Sequence, residues 1–155
     1  MSFRIQGLSP QLFAPLIGQP DAVLRRHLAE RRTVDDAAGY PDRITLGDVP
    51  AGESVLLVHH QHQPADTPFR ASHAIYIWER APATWNCKDE IPPALTRRLI
   101  ALRAFDEHGY MIDADIAPGE TLAPLIERLF ANPATSYLHA HYAKWGCYAA
   151  RVDRA

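Results

Sequence analysis

The chain has little cysteine, no long apolar run, no glycine-rich phosphate loop and almost no net charge. Its two cysteines, Cys87 and Cys147, form no metal-binding or redox pair in sequence, so a reduced, cytoplasmic protein is expected. No apolar run approaches the roughly 20 residues that a spanning helix needs, and residues 1–6 lack the apolar region and cleavage signature of a leader. No Gly-x-Gly-x-x-Gly occurs, and neither His-x-His carries the hydroxyl pair of a two-histidine phosphoesterase. A net charge of -2 gives no general attraction to nucleic acid or to an anionic membrane. The basic run Arg25, Arg26, Arg31 and Arg32 reads as a solvated helix face.

Histidine is what the chain has in excess. Six of its eight histidines fall at 59–62, 73 and 139–141. Thirteen prolines imply short elements and ordered loops. Hydrophobic content of 47% and charged content of 22% suit one soluble domain over residues 1–155, long enough to bury a core.

Residues 3–5 alternate as an opening strand. Ser9 and Pro10 start a helix, and Asp21 opens a second that runs to Glu30. Residues 31–36 read as an extended edge, 39–42 and 50–53 as turns, and 44–46 as a short strand. The apolar run Val55 to Val58 is a central strand that continues into His59, His60 and His62. After a proline loop, residues 71–79 form a second strong strand with His73, Ile75 and Ile77 on one face. Residues 81–89 read as loop and 92–98 as a short helix. Residues 100–106 and 110–116 make a hairpin. Leu122, Leu125, Ile126, Leu129 and Phe130 mark an amphipathic helix that Asn132-Pro133 ends. Strands outnumber helices and no βαβ alternation appears. The expected fold is α+β, a mostly antiparallel sheet with a few helices on one side.

The last hairpin, residues 137–154, concentrates reactive side chains. His139 and His141 share one strand face. If Lys144-Trp145-Gly146 is a three-residue loop, Ala143 faces Cys147 and His141 faces Ala149. Cys147 and Arg151 then join the histidine face, with Cys147 diagonal to His141 at about 7–8 Å. A loop one residue longer turns Cys147 to the other face.

Several motifs together are specific: Phe3-Arg4-Ile5-x-Gly7-Leu8, residues 62–68 from His62 to Pro68, Ser72-His73-Ala74-Ile75 and Asp89-Glu90-Ile91-Pro92. With them go Arg103-Ala104-Phe105-Asp106 and His139-x-His141-x-Ala143-Lys144-x-Gly146-Cys147. On these the chain resembles, over nearly its full length, the uncharacterised bacterial family catalogued as domain of unknown function 1203. The resemblance implies no established activity and carries over no catalytic residues. It also implies a Cys-Arg pair after Tyr40-Pro41, where this chain has Asp42-Arg43.

Three chemistries are open to these residues. His60, His62 and His139 could bind a divalent ion such as zinc, iron or nickel. Cys147 with His141 as base and Lys144 as a nearby cation could act as a thiol nucleophile. His73, Arg70, Arg151 and Trp145 could anchor a small molecule without chemistry. The preferred expectation is a small cytoplasmic enzyme or small-molecule-binding protein with a pocket of histidine, cysteine and arginine. The rival is a non-catalytic interaction module whose histidines are structural hydrogen-bonding groups. The expected partner is a small ligand, with a homodimer left open and neither nucleic acid nor membrane expected.

Overall fold

The computed structural model of the chain describes residues 1–36 and 39–155. In chain order the elements are β1 (Phe3–Gln6), α1 (Asp21–Arg26), β2 (Ala29–Thr33), β3 (Ser54–Gln63), β4 (Ala71–Trp78), β5 (Asn86–Lys88), α2 (Pro93–Thr96), β6 (Leu99–Phe105), β7 (Met111–Pro118), α3 (Leu122–Ala131), β8 (Tyr137–Tyr142) and β9 (Tyr148–Arg154). The fold is α+β. Its antiparallel strands divide between a six-stranded sheet, ordered β5-β1-β9-β8-β6-β7, and a three-stranded sheet, β2-β3-β4. Among the described residues no helix is long and apolar enough to cross a membrane.

α3 covers one face of the larger sheet, as its spacing predicts. Leu122, Leu125, Ile126, Leu129 and Phe130 are buried with Leu102 and Ala104 of β6, Leu138, Ala140 and Tyr142 of β8, and Val152 of β9. The helix end is held from β9. Nη2 of Arg154 donates to the carbonyl of Phe130, which a helix C-terminus leaves unpaired, and to those of Asn132 and Thr135 just beyond it.

The smaller sheet builds its own core from Leu56, Val58, Ile75 and Ile77, with Phe13, Leu24 and Ile44 around them. Tyr148 of β9 enters this second core, so the uncovered face of the larger sheet meets the smaller sheet there. Glu79, just past β4, ties the smaller sheet together. It accepts from Arg31 of β2, Ser54 of β3 and the Gly18 amide. Burial opposes its charge, yet these donors prevail and hold its carboxyl down to about 2.

Several local expectations change. α1 stops at Arg26 because Leu28 turns to φ +55°, and Ala29 and Glu30 join β2. The helix expected at Pro10 is a single 3-10 turn capped by Ser9. Residues 44–46 are not a strand. They form a turn through Leu46 at φ +52°, flanked by the bridge between Pro41 and Asp48. Residues 86–88, expected as loop, pair with β1.

Candidate functional site

The β8–β9 turn decides which side chains meet. Tyr142 N donates to Cys147 O at 3.0 Å and Gly146 N to Tyr142 O at 2.7 Å. The loop is therefore Ala143-Lys144-Trp145-Gly146, four residues and not three, closed by Gly146 at φ +77°. Cys147 stands opposite Tyr142 and shares its face. It lies in the core beneath α3, 8% exposed, where Arg43 Nη2 contacts its Sγ at 3.1 Å. The expected pairing of Cys147 with His141 is thus corrected, because the two occupy opposite faces of the hairpin.

A bulge at Ala149 then restores the register. His141 faces Tyr148, Ala140 faces Ala150 and His139 faces Arg151. Arg151 does lie on the histidine face, and Tyr148 takes the place expected for Ala149.

On that face three imidazoles converge. His62 of β3 and His139 and His141 of β8 each present a ring nitrogen, all within 4.8 Å of one another. The ring centroids of His62 and His141 are 5.0 Å apart, and Tyr148 stacks on His62 at 5.4 Å. His139 and His141 are 3% and 1% exposed. Nδ1 of His141 lies 3.0 Å from the Gly146 carbonyl, which can only accept, so Nδ1 carries the proton and Nε2 the lone pair. That Nε2 and the Nδ1 atoms of His62 and His139 are buried without a partner among the described residues.

Burial is the main reason all three rings stay neutral. It pushes His62 down to about 4, with Arg103, His60 and His73 adding to the effect. His141 falls to about 3, by burial and then Arg103. His139 falls to about 2, by burial and then His141, His62, Arg151 and Arg103. Neutral imidazole is the form that ligates a metal.

Of the expected metal set, His62 and His139 come together and His60 does not. His60 stays outside the three-nitrogen set, its ring 5.8 Å from Phe13 and 6.1 Å from the Tyr148 that also stacks on His62. His141, expected as a base, is the third member.

Sequence reasoning missed Arg103 as a site residue. Arg103 sits in β6 between His139 of β8 and Ala114 of β7, half-buried on the histidine face. Among the described residues no carboxylate or hydrogen-bond acceptor meets its guanidinium. The available signal was a lone arginine inside the otherwise apolar Ile100 to Phe105 strand. Tyr148 reaches the cluster because the four-residue loop sets it opposite His141.

The remaining candidates separate from the cluster. A cavity of about 1040 Å³ lies by the edge of β4, lined by His73, Lys144, Trp145 and Cys147, with Arg43, Arg98 and Tyr142. The Tyr142 ring packs beneath Arg43 and Arg98, and burial pushes its hydroxyl up to about 12. Arg70 joins neither place. It pairs with Asp66 at 3.2 Å on an exposed loop. Arg151 is held by Asp153 and lies over the Tyr137 ring.

Two antiparallel sheets with a three-histidine cluster at their meeting define the kind of protein this is. The family model described as "Protein of unknown function (DUF1203)" matches residues 39–154, and the chain belongs to that family. No curated protein and no solved structure matches it.

Proposed function

We propose that this is a small cytoplasmic metal-dependent enzyme or ligand-binding protein, in which His62, His139 and His141 hold one divalent transition ion. The observation that carries this reading is the convergence of three imidazoles whose ring nitrogens come within 4.8 Å of one another, each ring having a buried nitrogen without a partner among the described residues. Buried polar atoms that serve structure are hydrogen-bonded, which counts against the rival interaction module with merely structural histidines. Three neutral imidazoles suit zinc, iron or nickel, and three protein donors leave a position open for water or a ligand. Metal–nitrogen bonds of about 2.1 Å put tetrahedral donors roughly 3.4 Å apart, so small side-chain rotations close the set. The His141 bond to the Gly146 carbonyl is the outer contact that orients a ligating imidazole. The chemistry supported is activation of a water or ligand at the ion. A thiol–imidazole pair is not part of it, since Cys147 lies on the other face.

The test is elemental analysis of protein purified without a histidine tag, then after incubation with Zn(II), Fe(II) or Ni(II). About one ion per chain is expected in the wild type and in His60→Ala. His62→Ala and His139→Ala should lose it while keeping a native circular dichroism spectrum. A wild type that takes up none of these ions overturns the reading.

A further inference from the structure

Arg103 is a half-buried cation that meets no carboxylate among the described residues. The other arginine on this face, Arg151, is neutralised by Asp153, with bonds of 2.9 and 3.0 Å. On the opposite face of β7, Arg128 pairs with Asp113 and Asp115. Arg103 has neither a carboxylate nor a carbonyl among the described residues. Its neighbours on the face are Ala101 and Phe105 along β6, Ala114 across in β7 and His139 across in β8. A half-buried guanidinium without a counter-charge is costly, unless a ligand supplies that charge.

We infer that Arg103 is the anion-recognition residue of this site: its guanidinium holds the carboxylate of a small ligand beside the three histidines. The inference rests on the metal reading for the ligand's second contact, the open position of the ion. The guanidinium's planar fork selects a carboxylate, whose two oxygens it can grip with two parallel hydrogen bonds. Arg151, on the same face, is already paired with Asp153. Alanines 101 and 114 leave room around the guanidinium. The same face continues through Ile116, the cross-strand neighbour of Ala101, to the wall of the 1040 Å³ cavity, which Leu99 and His73 also line. The ligand's apolar part has space there.

The probe is acetate, with benzoate as a bulkier carboxylate and inorganic phosphate as the competing oxyanion. Each is titrated into the Co(II)-loaded protein while the visible cobalt bands are followed. Acetate and benzoate should shift the bands saturably, and phosphate should bind more weakly. Arg103→Gln should retain one Co(II) per chain but bind acetate about tenfold or more weakly, the scale of a lost charge-assisted pair. Arg103→Lys should recover part of the loss, and Arg128→Gln should bind like the wild type. Acetate affinity in Arg103→Gln within twofold of wild type, with Co(II) bound, overturns the inference and leaves the metal reading standing. Phosphate binding tighter than acetate overturns the carboxylate assignment.

If no Co(II) is taken up, the metal reading fails, and acetate is titrated into the metal-free protein with histidine ring NMR shifts as the readout. Binding that Arg103→Gln abolishes keeps the anion assignment. Its absence overturns both readings.

Discussion

At the scale of residues, what matters here is that two buried imidazoles and a partly buried third are held together and kept neutral. In the unfolded chain each would protonate near 6.5. In the folded, metal-free protein His62, His141 and His139 resist protonation down to about 4, 3 and 2. Below about 6.5 the unfolded state therefore binds protons that the folded state refuses, so stability falls as pH falls, by up to about 1.4 kcal/mol per group per pH unit. Metal-free protein should show a urea midpoint that drops between pH 7.5 and pH 5.5, and His139→Gln should flatten that drop. A midpoint independent of pH over this range would contradict the burial described. The convergence of the two His-x-His pairs was legible, because both lie on strands of period two. The roles within them were not: His141 and not His60 completes the set, and β3 carries at His62 an irregularity between Gln61 and Gln63 that no local pattern announces.

Elements were most legible where a period runs long. α3 follows from five apolar positions at helical spacing, and all five are buried. Replacing Leu129 by Ala should cost roughly 2–5 kcal/mol, read as a lowered denaturation midpoint with an unchanged slope. An unchanged midpoint would mean that the helix does not seal the sheet. Short elements were illegible for a physical reason. β5 has three residues, and what makes it a strand is its pairing with β1, a long-range partner that no local pattern announces. α1 shows the converse: helical spacing continued to Glu30, but pairing with β3 claimed Ala29 to Thr33.

At the scale of the molecule, the cluster draws His62 from the smaller sheet and His139 and His141 from the larger one. An ion bound there would hold the two sheets together, and its binding energy would add to folding. At about 100 times its dissociation constant an ion adds about 2.7 kcal/mol. Zn(II) should accordingly raise the melting temperature of the wild type and of His60→Ala, but not of His62→Ala. Equal shifts in all three would place the ion elsewhere. That the strands split into two sheets was not visible in the sequence, where β3 and β4 look like neighbours in one continuous sheet.

The four-residue loop and the bulge at Ala149 behave as a pair of opposite dislocations. Each shifts β9 by one residue, and the shifts cancel, so that Ala150 onward lies where a three-residue loop without a bulge would also put it. The same chain length thus admits a second register isomer, in which Cys147 to Ala149 alone are turned over. Tyr148, buried and stacked on His62, anchors the isomer that forms. Removing the anchor with Tyr148→Gly should let the two defects annihilate, bringing Cys147 to the histidine face. Iodoacetamide should then label Cys147 in the folded variant, where it spares the wild type. Equal protection in both would show that the core around Cys147 fixes the register without help from Tyr148.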